Sequence, residues 1–240
     1  MEQLSYEWRR ARSIRTTWIT SLFILASVAA FAYLGTLVTA DMEGAEVLMP
    51  SSEVVLQSVL GNPIALVLLA SLGAMAFGHE YRYGTIRVTL TAFPRRTGVF
   101  LAKLTMTLLI VLTVTVVSAA LAYGVAVLVQ PGAGGGVPWA DVAWRIAVYA
   151  VTFSLLAFSL TVLTRSHPLG IVGPVLLSIL EAALVALLHE RAPWLGKAMP
   201  LSSMQSWLAG EQPLRSAGVW GAWMVGLLVL GFVLFKRRDA

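Results

Sequence analysis

The chain has 240 residues, of which 58% are hydrophobic and 12% charged, with a formal net charge of +5 and a mean hydropathy of +0.80. A soluble domain carries about 25% charged residues, so the apolar excess excludes a single soluble core. The absence of cysteine excludes disulfides, thiol nucleophiles, iron–sulfur clusters and thiolate zinc sites.

The apolar residues fall in uncharged runs of about 20, the length of helix that crosses the roughly 30 Å of hydrocarbon in a bilayer. The fold class is therefore all-α: a polytopic membrane protein whose single domain, 1–240, has six transmembrane helices. In chain order, residues 2–15 come first, and Leu4, Trp8, Ala11 and Ile14 recur at helical spacing. With Glu2, Glu7, Arg9, Arg10 and Arg12 on the other faces, this reads as an amphipathic interfacial helix with Trp8 at headgroup depth. The first span covers 18–38; it is longer than a signal-peptide core and follows a polar stretch, so it reads as uncleaved. The second span covers 56–78, and near its start Asn62-Pro63 either begins the helix or kinks it. A polar and aromatic connection at 79–96 leads to an overlong third span, 99–129. A glycine-rich connector, 131–139, has neither the spacing nor the preceding strand of a dinucleotide site.

The fourth span, 142–164, and the fifth, 169–188, are joined only by Arg165, Ser166, His167 and Pro168, which predicts a tight helical hairpin. Pro174 is expected to bend the fifth span. Glu181 lies in the same span about 12 residues from its start, roughly 18 Å along the helix. Such a carboxylate is costly unless it faces the bundle or a wet cavity. Two readings stand: a translocation-path or gating residue, or an acid held by serine or threonine hydroxyls of a neighbour. Residues 189–216 are too broken by Pro193, Gly196, Pro200 and Pro213 to span, yet too apolar for an ordinary loop. They read either as short re-entrant or interfacial helices capping the bundle, or as an amphipathic surface loop. The sixth span covers 218–235.

The basic residues sort by side. If the N-terminus is cytoplasmic, all lysines and arginines fall in inner segments except Arg145, Arg191, Lys197 and Arg215, and the first outer loop holds Asp41, Glu43, Glu46 and Glu53 without a base. This bias predicts both termini in the cytoplasm and explains the net charge by topology and the lipid bilayer, with no nucleic-acid partner. Machinery for chemistry is missing: there is no GxxxxGK[ST] phosphate loop, no H-E-x-x-H and no G-x-S-x-G. No metal site is expected, since His79, His167 and His189 lack helix-face spacing. Apart from residues near span ends, Glu181 is essentially the one ionisable group in the spans, unlike a proton-coupled carrier.

The connection after the second span is then an inner loop. Residues 80–93 predict a short helix with Tyr83, Ile86, Leu90 and Phe93 as its apolar stripe, ended by Pro94. That stripe needs a cover, either the membrane surface or a groove on a cytoplasmic protein.

The run Gly78-His79-Glu80-Tyr81-Arg82-Tyr83-Gly84-Thr85, followed by Leu90, Pro94-Arg95-Arg96 and Lys103, resembles the second-span exit of the membrane subunits of type-2 ATP-binding cassette exporters. Six spans, an amphipathic N-terminal helix and a broken segment between spans five and six are similar to that family too. The resemblance implies a permease subunit, not an enzyme, whose 79–96 loop carries a coupling helix inserted into a separate ATP-binding cassette subunit. Glu80, Tyr81, Arg82, Gly84, Thr85 and Arg87 would carry ATP-driven closure to the spans, with Pro94, Arg95 and Arg96 setting the return. It implies two ATP-binding subunits, a second copy of this chain or a homologous permease, and a bacterial-type plasma membrane. This chain would hold no cofactor; ATP and Mg would bind the partner subunit. No large outer domain is present. The apolar bundle suits amphiphilic substrates. Two rivals are a self-sufficient secondary transporter or channel, which calls for more polar lining residues, and an intramembrane enzyme built on Glu181 and His189, which lacks a nucleophile arrangement.

Overall fold

A computed structural model of the chain describes residues 2–42, 50–130, 137–188 and 190–237. Among the described residues the elements are all helical: α1 (Glu2–Ser13), α2 (Arg15–Met42), α3 (Ser51–Leu60), α4 (Pro63–Tyr83), α5 (Ile86–Ala92), α6 (Arg96–Val129), α7 (Trp139–Thr164), α8 (His167–Leu188), α9 (Trp194–Ala198), α10 (Pro200–Leu208) and α11 (Pro213–Arg237). Six of them, α2, α4, α6, α7, α8 and α11, are long and apolar enough to cross a bilayer. The chain is an all-α polytopic membrane protein. Glu43, Glu46, the glycine-rich 131–136, His189 and Arg238 lie outside the described residues.

The second span differs from expectation. Its predicted start at residue 56 lies inside a separate helix, α3, which buries Val54, Val55 and Val59. The break comes at Asn62, whose side-chain Oδ1 accepts from the backbone N–H of Ile64 at 3.0 Å and of Ala65 at 3.1 Å. Asn62 is the N-cap and Pro63 the first helical residue, where proline's missing N–H costs nothing. Pro63 therefore begins α4 rather than kinking a longer helix. Pro174 lies within α8, which continues through it.

Helices α4 and α7 form the middle of the bundle. Residues in the spanning window of α7 are 72% buried, against 11% for α8, which lies at the edge. Small residues set the spacing: Ala70, Ala74 and Ala157 pack together, and the Ser154 hydroxyl donates to the Leu69 carbonyl at 3.0 Å. Gly73 is pressed against the Ser154 carbonyl so closely that a Cβ has no space. Without a hydrophobic drive between helices in lipid, close backbone approach through small residues is what holds such a pair. The predicted hairpin between spans four and five is present, with Arg165 at φ 54° ending α7 and α8 starting at His167.

The bundle has two distinct ends. At one, α1 lies against α6, and α5 and the end of α11 sit beside it. At the other, the predicted broken segment contains α9 and α10, with α10 burying Leu201, Met204 and Leu208. Trp207 packs on Trp144 and Trp220, and Trp220 Nε1 donates to the Thr152 hydroxyl at 2.8 Å.

Replacing Gly73 with valine should lower stability by about 1–3 kcal/mol through overpacking at the α4–α7 contact. Gly124, with open space around its Cα, serves as the control. Thermal unfolding of the detergent-purified chain should show a drop of several degrees for Gly73→Val and almost none for Gly124→Val; equal drops would refute the close-contact account.

Candidate functional site

The α1 end is organised by charge. Lys103 is wholly buried about two turns into α6, with its ammonium 2.8 Å from Glu7 Oε1 and 2.6 Å from Glu80 Oε1. Arg10 Nη1 lies 3.0 Å from Glu7 Oε2 and 3.1 Å from Glu80 Oε1, and it donates to the Ala76 carbonyl of α4 at 3.3 Å. Two acids and two bases thus balance across α1, α4 and α6. The Lys103 ammonium also stands 5.3 Å from the Phe77 ring centroid.

Local sequence explains each position. Glu7 and Arg10 are three apart on α1 and face the bundle together. The expected apolar stripe of α1 turns the other way in part: Leu4 and Trp8 are exposed, while the polar pair is the inward face. Glu80 lies near the C-terminal end of α4 and is buried at 3% exposure. Beside the charges sits an aromatic cluster in which the Phe77 ring meets Phe158 at 5.4 Å, Phe235 at 5.1 Å and Tyr81 at 5.8 Å.

The predicted single helix over 80–93 is two helices. α4 runs on to Tyr83, Gly84 takes the left-handed conformation at φ 67°, and α5 starts at Ile86. A glycine C-cap of this kind ends a helix without Cβ strain. The break rotates the stripe: Ile86 is buried, and Leu90 and Phe93 pack on the aromatic cluster, so these three are covered by the protein's own bundle. Tyr83 points outward instead, 69% exposed, as does Val88 at 70%.

Of the residues the resemblance singles out, Glu80 belongs to the interior ion network and Tyr81 is half-buried on Phe77. Arg82, Gly84, Thr85, Arg87, Pro94 and Arg95 are exposed around α5. Arg96 donates to the Phe235 and Lys236 carbonyls at 3.3 and 3.1 Å, tying α6 to the end of α11. α5 is flanked by a cavity of about 510 Å³ beside Tyr6, Thr85 and Val88, and by a wider one of about 1020 Å³ beside Pro94, Arg95 and Gly98. It therefore stands as a ridge between two grooves.

Glu181 lies at the other end, 2% exposed. Its Oε2 accepts from the Leu201 N–H at 3.1 Å, and its Oε1 accepts from the Ser202 N–H and, at 2.7 Å, the Ser202 hydroxyl. Pro200 is the first residue of α10, so Glu181 caps the positive end of that helix from across the bundle. This is the hydroxyl-held arrangement, with two backbone donors added.

Three features were not read from the sequence. Lys103 stands in the sequence only as part of the resembling run, whereas it is buried and ties α6 to α1 and α4; the Glu7–Arg10 spacing is the available signal for its partner. The outward pair Tyr83 and Val88 depends on the break at Gly84. His79 and His167 lack helix-face spacing in the sequence, and the fold brings their rings to 5.2 Å. Among the described residues no group of three or more histidine, aspartate or glutamate side chains could hold a metal ion.

A family profile described as ABC-2 family transporter protein matches residues 4–183, three quarters of the chain. The chain belongs to the ABC-2 transporter family. No curated protein matches it. This ABC-2 family member is a multi-pass membrane permease, and the matched region contains most of α1, the ion network, α5 and Glu181.

Removing one charge from the network strands the others. Lys103→Met should cost this ABC-2 protein about 3–5 kcal/mol, because the acids lose a buried counter-charge. Adding Glu80→Met, which restores neutrality, should recover more than half of that loss in thermal unfolding. Strictly additive losses would mean that the two side chains do not interact.

Proposed function

We propose that this permease is the membrane subunit of an ATP-driven exporter and that α5 is its coupling helix. Two copies, or this chain and a homologous permease, form the path, each resting on a separate ATP-binding cassette subunit that supplies ATP and Mg. Both termini and the α1 end face the cytoplasm of a bacterial-type cell, consistent with the bias of lysine and arginine towards the segments at that end.

The observation that carries this reading is the α5 ridge. Val88 and Arg87 on its outer side stand with Tyr83 and Arg82 at the end of α4 and Arg95 before α6, an exposed set of the aromatic and arginine kind that can supply most of a docking energy. Its inner side, through Ile86, Leu90 and Phe93, bears on the aromatic cluster that includes Phe77, Phe100, Phe158 and Phe235. A push on the ridge therefore reaches α4, α6, α7 and α11 through packed rings rather than through a flexible loop. Glu80 acts one layer further in, passing the movement to α1 and α6 through Lys103. Its Oε2 has no hydrogen-bond partner among the described residues, which supplies an acceptor for a second arrangement of the network. At the outer end, Glu181 ties α8 to α10 through its bonds from Leu201 and Ser202, a holding part rather than a place on the path.

The test uses the chain purified with the ATP-binding cassette subunit that accompanies it from native membranes. Val88→Asp and Arg87→Glu should each weaken co-elution at least about ten-fold, equivalent to about 1.4 kcal/mol, while unfolding temperature stays within about 2 °C of wild type, as for surface changes. Glu80→Gln should leave co-elution intact and reduce ATP-dependent efflux from proteoliposomes. Efflux by this chain alone, or unaltered co-elution of both ridge variants, would contradict the reading.

A further inference from the structure

A second feature of the α1 end has no part in the α5 ridge. On the lipid-facing side, α1, the first turns of α2 and the middle of α6 enclose a groove of about 570 Å³. That is within the roughly 300–1,000 Å³ of ordinary small-molecule sites. Its walls are apolar, with Leu22 and Leu25 from α2 facing Leu109 and Val117 from α6. From Thr17 to Leu25 the α2 wall runs about 12 Å along the helix axis.

The mouth is different in character. Trp8, Arg12 and Trp18 surround it, and both indoles are more than half exposed. Trp18 Nε1 donates to the Arg12 carbonyl at 3.1 Å, which closes the corner between α1 and α2 and holds Arg12 at the rim. The Arg12 guanidinium is exposed and, among the described residues, has no carboxylate beside it: Glu7 is committed to Arg10 and Lys103. Arg15 lies on the same face of α2 as Trp18 and Leu22. Two tryptophans at the rim mark headgroup depth, where amphipathic rings settle. A cationic rim without a counter-ion above an apolar trench complements an anionic head on a hydrocarbon tail.

We propose that this groove is a binding site for an anionic phospholipid, with one acyl chain between α2 and α6 and the phosphate on Arg12. A neutral tail alone would leave the guanidinium unused, and a free phosphate would leave the apolar walls uncovered. The bound lipid fills the gap beneath α1 and steadies that helix at the membrane surface. The assignment stands on the groove and its rim, independently of the partner docked on α5 and of which leaflet the α1 end occupies.

The test is native mass spectrometry of the full chain released from mixed micelles containing equal phosphatidylglycerol and phosphatidylcholine of the same acyl composition. Wild type should retain one phosphatidylglycerol per chain in preference to phosphatidylcholine by about five-fold or more, the contribution expected of one basic residue near anionic lipid. Arg12→Gln should abolish that preference without shifting the unfolding temperature. Thr113→Trp, which fills the trench, should reduce retention of both lipids. Equal retention of the two lipids by wild type, or an Arg12→Gln chain that keeps the preference, would overturn the proposal. So would efficient disulfide formation between two copies carrying Thr113→Cys in membranes, since the groove would then be a subunit interface; the cysteine-free chain makes that measurement clean.

Discussion

An ammonium group with no exposed surface cannot be left alone in a bilayer protein, and Lys103 imposes that condition on everything near it. Its two carboxylates come from different helices, Glu7 on α1 and Glu80 on α4, so satisfying one charge fixes three elements in register. Arg10 then closes the set by neutralising the second acid. Such networks are weak sources of net stability, because desolvation offsets most of the attraction. What this one supplies is position: α1, which has no span of its own, is held against α4 and α6 at one place. The aromatic cluster around Phe77 does the same for α5 and α11 without charge.

The two ends of the bundle are thereby built on different principles. At the α1 end, ion pairs and packed rings gather α1, α4, α6, α7 and α11 around a short exposed ridge. At the α10 end, tryptophans and a single carboxylate hold two short helices over the bundle, with Glu181 supplying the cap that Met199 and Pro200 cannot. Between them, α4 and α7 approach through Ala70, Gly73, Ala74, Ser154 and Ala157, leaving little freedom for the middle. A permease that changes state needs firm elements joined at a few adjustable contacts. Here the charged contacts between helices lie at the ends, where Glu80 and Glu181 each join two or more of them.

The spans were legible because lipid demands long apolar helices, a constraint that acts on single segments. The Arg165–Pro168 hairpin was legible for the same reason: its shortness leaves no other geometry. Asn62-Pro63 carried two readings, and the choice between a kink and a start rested on the Asn62 side chain reaching two backbone donors. The stripe of Ile86, Leu90 and Phe93 was read correctly as apolar, yet its cover was not, since one glycine at positive φ turned it onto the protein's own rings and left Tyr83 outside. Lys103 and Glu181 resisted for a deeper reason. Their partners are 96 and 20 residues away in the chain, and no local periodicity reports a pairing between distant helices.

Buried charge, rather than lipid attraction alone, holds α1 in place. Gln3 of α1 abuts Gly98 of α6 without direct involvement in the network, so Gln3→Cys with Gly98→Cys in the cysteine-free chain reports that contact by disulfide formation in native membranes. Cross-linking should be rapid in the otherwise unaltered chain and at least about ten-fold slower when Lys103→Met is added. An equal rate with and without Lys103 would show that α1 keeps its place without the network.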